Sequence, residues 1–157
     1  MSNNAKQKTP FFFEDHREGY RVECGSYRVE KAEVIAFARK WDPQPWHVDE
    51  EQARQSMFGG LTACSAHIFF IYCLTSVDWQ NGAAQQAVAS LGFDDMRMHK
   101  PVYAGDILRC VTVVDETRES RSKPGCGIVV YASQLLNQQD DAVFSIRCAT
   151  LMARKPA

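Results

Sequence analysis

The chain has 157 residues, with 18 Lys and Arg against 19 Asp and Glu, and 45% of its residues are hydrophobic. This length fits one domain that buries its own core, and the hydrophobic content excludes a disordered chain. A net charge of -1 without a basic stripe argues against a nucleic-acid or membrane-surface partner.

Six cysteines are scattered along the chain without a C-x-x-C pair, and most of them lie in apolar runs. This pattern is typical of buried free thiols in a reducing compartment. The first ten residues lack the apolar core of a signal peptide, and the longest apolar stretch, residues 68–74, is shorter than a membrane span. We therefore expect a cytosolic protein.

The first part of the chain is predicted to form a flexible tail, residues 1–14, followed by a strand within residues 20–29. Apolar residues then repeat with the helical period from Val34 to Trp41. Because proline disfavours helical geometry in the residue before it, this helix is predicted to end before Pro43.

Two more helices are predicted after Pro43. Asp49 is a suitable N-cap with Gln52 three residues on, which predicts a short helix to about Met57. Thr62 is expected to cap a third helix over residues 63–76. Since that helix is apolar nearly all round, it is expected to be surrounded by protein.

The rest of the chain is predicted to be β-sheet. Runs rich in Val, Ile, Leu and Tyr are separated by turn signals such as Gly105-Asp106 and Lys123-Pro124-Gly125. These runs span residues 87–98, 106–119, 127–136 and 142–153. Short connections favour antiparallel pairing. A long antiparallel sheet together with one apolar helix predicts a single α+β domain in which the sheet wraps around the helix.

The segment Asp42-Pro43-Gln44-Pro45-Trp46-His47 carries the candidate chemistry. Its two prolines fix φ at alternate positions, which makes the segment stiff. A stiff segment with one carboxylate and one imidazole suits acid–base catalysis, in which geometry is fixed before proton transfer. A purely structural histidine is the plainer interpretation, and the spacing alone does not decide between the two.

This segment, with Phe58-Gly59-Gly60-Leu61 and the turn Pro101-Val102-Tyr103-Ala104-Gly105-Asp106, resembles the MaoC-like dehydratases, which include the R-specific enoyl-CoA hydratases. The family motif is D-x-x-P-x-H, and the resemblance extends over residues 15–155. It implies a hot-dog fold for residues 15–157, an antiparallel sheet curled around a central helix. Such domains are usually homodimers with active sites at the subunit interface.

By this similarity, Asp42 and His47 are the acid–base pair that adds water to an enoyl thioester or removes it from a 3-hydroxyacyl thioester. The acyl carrier would be coenzyme A or an acyl carrier protein. No cofactor or metal is expected beyond the coenzyme A of the substrate. A helix N-terminus is expected to stabilise the enolate oxygen. The residues expected to bind the substrate or this oxygen are Trp46, Gly60, Cys64 and Ser65.

Two other functions match parts of the sequence. His47, Asp49 and His99 formally match a two-histidine, one-carboxylate iron site, but Asp49 is predicted to begin a helix rather than lie on a strand. The second alternative is a thioesterase or a non-catalytic protein that binds thioesters. Thioesterases of this fold usually carry a carboxylate on the central helix, and residues 62–76 contain none. A binding protein stays open because many family members have glycine where Ser65 stands.

Overall fold

The structure is a computed structural model that describes residues 8–156, and most of its strands lie in one sheet. The strands are β1 (Thr9–Phe11), β2 (Arg21–Arg28), β3 (Ala83–Gln85), β4 (Ala87–Met98), β5 (Ile107–Glu119), β6 (Cys126–Leu136) and β7 (Ala142–Ala153). The main sheet has the order β2-β5-β6-β7-β4, and every neighbouring pair is antiparallel. The predicted antiparallel sheet is confirmed, and its four long strands lie within a residue of the predicted runs.

The N-terminal segment forms regular structure where a tail was expected. β1 pairs in parallel with β3, and a 3-10 helix follows at Phe13–Asp15. Regular structure therefore begins at Thr9 instead of after residue 14. The other part of the predicted tail, residues 1–7, lies outside the described residues.

Two contacts hold this segment against β6. A Cβ built on Gly127 would lie 2.1 Å from the Phe13 ring, so the ring can pack there only because residue 127 is glycine. The Tyr131 hydroxyl donates a hydrogen bond to Nε2 of His16 at 2.7 Å, and Nδ1 of His16 donates to the Phe12 carbonyl at 2.8 Å. His16 is thus a buried structural histidine.

The helices are α1 (Lys31–Trp41), α2 (Pro45–Val48), α3 (Glu50–Gln55) and α4 (Ser65–Ser76). The predicted end of α1 is confirmed, since Asp42 is its C-cap and makes the last backbone hydrogen bond, to the Ala38 carbonyl at 2.8 Å. α2 was not predicted, because Pro43 and Pro45 were interpreted as stiffening a non-helical segment. Proline suits the first helical turn, where its missing N–H is not needed, and Pro45 takes that place.

α4 is the central helix of the domain. It begins at Ser65 with Cys64 as the N-cap, two residues later than predicted, because Thr62 forms a β-bridge with Tyr103. One face of α4 is buried, including Ile68 and Tyr72. The opposite face is open in the single chain, and its exposed apolar residues are Phe70, Leu74 and Val77. Among the described residues, no helix is long and apolar enough to span a membrane.

Candidate active site

The predicted acid–base residues come together at the junction of α1 and α2. Asp42 follows the last residue of α1, and the Gln44 N–H donates back to the Asp42 carbonyl at 2.8 Å, which closes a tight turn. His47 lies on α2, and its Nε2 is 3.8 Å from Oδ2 of Asp42. The imidazole is buried with 10% of its side chain exposed, while the Asp42 side chain is 40% exposed. A shielded imidazole therefore faces a hydrated carboxylate.

Hydrogen bonds to both ring nitrogens define the state of His47. Nδ1 is 2.7 Å from the Thr62 carbonyl oxygen and 3.2 Å from the Thr62 hydroxyl. A carbonyl oxygen can only accept, so Nδ1 carries the hydrogen. The Trp46 indole N–H donates to Nε2 at 3.1 Å. These bonds are all satisfied by a neutral imidazole whose Nε2 lone pair faces Asp42 and Trp46.

A cavity of about 320 Å³ lies beside His47, and we call it the active-site cavity. One wall is the start of α4, and the other is the segment 98–102, which leaves the end of β4. Trp46 and Phe58 pack together at its side, with ring centroids 5.9 Å apart. Its lining residues are Trp46, His47, Phe58, Thr62, Ala63, Ser65, Ile68, Met98, His99, Lys100, Pro101 and Val102. An apolar cavity with a few polar groups is typical of a small-molecule site.

The N-terminus of α4 faces this cavity through Ser65, its first residue. The first N–H groups of a helix have no intrahelical carbonyl partner, and the helix dipole adds positive charge there. The first internal bond of α4 is donated by Ile68 to the Cys64 carbonyl at 3.1 Å. The backbone N–H groups of the turn before Ile68 are thus donors beside the cavity, where an anionic oxygen would be stabilised.

The predicted substrate-binding residues divide into two groups. Trp46 and Ser65 line the active-site cavity, and the buried Cys64 caps the helix that borders it. Gly60 is not brought to this cavity: it lies beside Tyr103 and borders a different depression that includes Leu61. The structure therefore does not place Gly60 with the other predicted site residues.

Two contributions to the site were missed from the sequence. Thr62 was interpreted as a helix cap, yet its carbonyl fixes the hydrogen on His47. The segment 98–102 is far from His47 in sequence and is brought to it by the pairing of β4 with β7 and by the Ala63 N–H, which donates to the Val102 carbonyl at 2.8 Å. The sequence signal that could have located this wall of the cavity was the family motif at residues 101–106, which contains Pro101 and Gly105.

A second buried histidine lies near a carboxylate on the other side of α4. Nε2 of His67 is 3.9 Å from Oε1 of Glu33, and the imidazole stacks on Phe37 with centroids 4.7 Å apart. Burial lowers the pKa of His67, while the Glu33 charge opposes that change. The hydrogen bond from Tyr27 to Glu33 raises the pKa of Tyr27 to about 12.

The His67 ring makes no hydrogen bond to the segment 42–47. Its Nδ1 is buried and has no hydrogen-bond partner among the described residues. His67 also does not line the active-site cavity. His67 packs α4 against Phe37 and Glu33 of α1.

The residues of the considered iron site are not assembled. Asp49 caps α3 by accepting the Gln52 N–H at 2.9 Å, and Nε2 of His99 is 2.7 Å from the Ser145 hydroxyl. Within residues 8–156 no three His, Cys, Asp or Glu side chains gather in an arrangement that would hold a metal ion.

The antiparallel sheet around a central helix is the hot-dog fold, which is shared by solved structures that superpose on this chain. The family model described as "MaoC like domain" matches residues 15–134, more than half of the chain. The protein therefore belongs to the MaoC-like family.

Three similar proteins illustrate the family. A crystal structure described as the MaoC-like dehydratase from Rhodospirillum rubrum is 35% identical, with a TM-score of 0.84 over 94% of this chain and 99% of that one. Mesaconyl-CoA hydratase from Cereibacter sphaeroides is 29% identical over 145 residues, 92% of this chain and 40% of that protein. The protein YdeM from Bacillus subtilis is 28% identical over 129 residues, 82% of this chain and 89% of YdeM.

Proposed function

We propose that the protein catalyses the hydration of enoyl thioesters, or the reverse dehydration of 3-hydroxyacyl thioesters, on coenzyme A or an acyl carrier protein. The observation that carries this proposal is the position of His47, whose Nε2 lies 3.8 Å from Oδ2 of Asp42 at the wall of an apolar cavity. The similarity to a MaoC-like dehydratase and to mesaconyl-CoA hydratase supports the same class of reaction.

The Asp42–His47 geometry suits proton transfer through one water molecule. A water oxygen about 2.8 Å from both Nε2 and Oδ2 fits between atoms that are 3.8 Å apart. In hydration, His47 takes a proton from this water while its oxygen bonds to the β-carbon, the imidazolium passes that proton to the Asp42 carboxylate, and Asp42 delivers it to the α-carbon. In dehydration, the Asp42 carboxylate takes the α-proton and passes it to His47, which gives it to the leaving hydroxyl as water departs.

The N-terminus of α4 completes the chemistry. Negative charge develops on the thioester oxygen as the enolate forms, and backbone N–H groups beside Ser65 would donate to it. Ser65 has a Cβ that a glycine lacks, but its place at the cavity wall leaves the helix backbone next to the cavity. Coenzyme A enters this scheme only as part of the substrate, and the two proton-transfer groups belong to the protein.

We also propose that the functional unit is a homodimer formed through β4 and α4. β4 is an edge strand exposed along its length, its exposed apolar residues include Leu91 and Met96, and the open face of α4 carries the exposed Leu74. An exposed apolar edge strand readily pairs with a second copy in a two-fold arrangement. Leu74→Asp is expected to shift the mass measured by light scattering from dimer to monomer, and a monomeric wild type would contradict the proposal.

Six free cysteines are consistent with a reducing cytosol, where we place the protein.

A panel of thioesters tests the proposed reaction. Purified protein is incubated with trans-2-enoyl-CoA esters of graded chain length and with a dicarboxylic enoyl-CoA, and 3-hydroxyacyl-CoA is measured. Free thiol is measured in the same samples, because a thioesterase would release coenzyme A and a hydratase would not. We expect hydration without thiol release. Release of thiol without hydration, or binding of every ester without turnover, would overturn the proposal.

A further inference from the structure

The turn at residues 101–106 and the segment 56–62 are joined at Tyr103. The backbones of Thr62 and Tyr103 form a β-bridge. Two further backbone hydrogen bonds, of 2.8 and 3.0 Å, link the residues on either side of this bridge. Thr62 lines the active-site cavity and its carbonyl holds Nδ1 of His47, so this short ladder supports the catalytic base.

The Tyr103 side chain makes a second connection between the same two segments. Its hydroxyl donates a hydrogen bond to the Phe58 carbonyl at 2.8 Å. Its ring packs closely on Gly60, where a Cβ would lie 3.4 Å from the nearest ring atom. The Asp106 carboxylate accepts the Tyr103 N–H at 2.8 Å. Tyr103 is therefore fixed in its own turn while it holds the backbone of the other segment.

Phe58 is the residue through which this connection reaches the active-site cavity. It lines the cavity, and its ring packs against Trp46 with centroids 5.9 Å apart. Among the described residues, the backbone of residues 56–60 forms its other hydrogen bonds within its own loop and to α3. The bond from the Tyr103 hydroxyl is thus the one hydrogen bond that ties this loop to a distant part of the described chain.

We infer that Tyr103 is a positioning residue that sets the affinity for the substrate by holding Phe58 at the wall of the active-site cavity. This inference rests on the proposed function. Tyr103 does not line the cavity itself, so it acts through the Phe58 backbone. A wall that is held in place before the substrate arrives reduces the cost of ordering it on binding. The Tyr103 hydroxyl therefore affects binding of the thioester more than the chemical step.

The catalytic residues keep their supports when the Tyr103 hydroxyl is removed. The Thr62 N–H donates to the Trp46 carbonyl at 3.2 Å, and the Thr62 carbonyl holds His47. Neither bond passes through the Tyr103 side chain. Tyr103→Phe also keeps the β-bridge and the ring packed on Gly60. KM and kcat are therefore expected to respond differently to this substitution.

The first test measures kcat and KM for crotonyl-CoA in the wild type and in Tyr103→Phe. We expect KM to rise about two- to tenfold, the equivalent of one neutral hydrogen bond, and kcat to stay within about twofold. Tyr20→Phe is the matched control, because it also removes a hydroxyl with one hydrogen-bond partner, the Asn81 side chain at 2.8 Å, and Tyr20 does not line the cavity. An unchanged KM in folded Tyr103→Phe, or an equal rise in Tyr20→Phe, would overturn the inference.

A double-mutant cycle examines whether Tyr103 acts through Phe58. Phe58→Ala removes the ring that the hydrogen bond holds in place, so Tyr103→Phe should raise KM no further in that background. The same increase in both backgrounds would mean that Tyr103 acts by another route, and the inference would be wrong.

Two measurements without turnover separate this inference from the proposed function. Hydrogen exchange should be faster at the backbone amides of residues 56–61 in Tyr103→Phe, and unchanged there in Tyr20→Phe. Calorimetric titration with the saturated butyryl-CoA should show a loss of affinity that matches the rise in KM. A wild type that binds butyryl-CoA but hydrates no crotonyl-CoA contradicts the proposed function alone, and one that binds no thioester contradicts both. Equal exchange or equal affinity in the wild type and Tyr103→Phe overturns the inference, whether or not crotonyl-CoA is hydrated.

Discussion

His47 and His67 are both buried, and each has a nitrogen just under 4 Å from a carboxylate oxygen, yet their surroundings differ in every feature that catalysis needs. Both nitrogens of His47 have hydrogen-bond partners, and its ring borders the active-site cavity. His67 has a buried Nδ1 without a partner among the described residues, and it does not line the active-site cavity.

The aromatic neighbours of the two histidines show the same difference. Trp46 lies edge-on to His47 and donates its N–H to Nε2, so it interacts with the lone pair. Phe37 stacks face to face on His67 and contacts only the ring surface. A histidine near a carboxylate is thus not sufficient for an active site. The lone pair must be held toward a space that admits substrate.

The largest effects are expected at the catalytic pair. His47→Gln removes the base, and Asp42→Asn removes the group that exchanges the α-proton. Each is expected to lower kcat/KM for enoyl-CoA hydration by about 10²- to 10⁴-fold. Circular dichroism and thermal unfolding check that the variants fold. Folded variants with wild-type kcat/KM would show that the pair has no catalytic role.

A smaller effect is expected at Trp46. Trp46→Phe keeps a ring beside Phe58 and removes the N–H that occupies the lone pair of His47. Because Thr62 still holds Nδ1, we expect kcat to rise by about two- to tenfold, the equivalent of one neutral hydrogen bond. Trp41→Phe, which alters an exposed ring outside the cavity, is the control. A decrease in kcat for Trp46→Phe would instead mean that the indole orients His47.

The smallest effect on rate is expected at His67. His67→Leu replaces a buried ring that has an unpartnered nitrogen with an apolar side chain of similar size. We expect kcat/KM to stay within a few-fold of wild type and the Tm at neutral pH to be maintained or raised, since a buried polar group without a partner is costly. A loss of rate as large as that of His47→Gln would remove the distinction between the two histidines.

The same variant changes how stability depends on pH. Burial lowers the pKa of His67 in the folded protein below the ordinary value of about 6.5, so the unfolded chain binds the proton first as the pH falls. The wild type should therefore lose stability below about pH 6.5, and His67→Leu should lose less. The stability of His67→Leu will still fall somewhat as the pH is lowered, because burial also lowers the pKa of His16. Thermal unfolding between pH 7.5 and 5.5 would measure it, and equal slopes would contradict this explanation.

Much of the framework was predictable because it depends on local patterns. The period of apolar residues located α1, and runs rich in Val, Ile, Leu and Tyr between turn signals located the four long strands. Asp49 was predicted to be a cap from its residue type and from Gln52. The short elements were not predictable in this way. β1 and β3 have three residues each, too few to show a period, and they form only because they pair across about seventy residues of chain.

The site was predictable only in part for a similar reason. Asp42, His47 and Trp46 lie within six residues, so their proximity follows from one local turn. The role of Thr62 and the wall at residues 98–102 depend on the tertiary arrangement of α4 and β4. Gly60 was included because it belongs to a motif near the pair, but close sequence position did not bring it into the cavity.

The central claim, that Asp42 and His47 transfer the protons of thioester hydration, is tested most directly by running the reaction in D2O. Crotonyl-CoA is incubated with the wild type and with His47→Gln, and the products are examined by NMR. We predict that the wild type forms 3-hydroxybutyryl-CoA with a single deuterium at the α-carbon, while folded His47→Gln forms almost none. Unchanged crotonyl-CoA with the wild type, or equal product with both proteins, would contradict the claim.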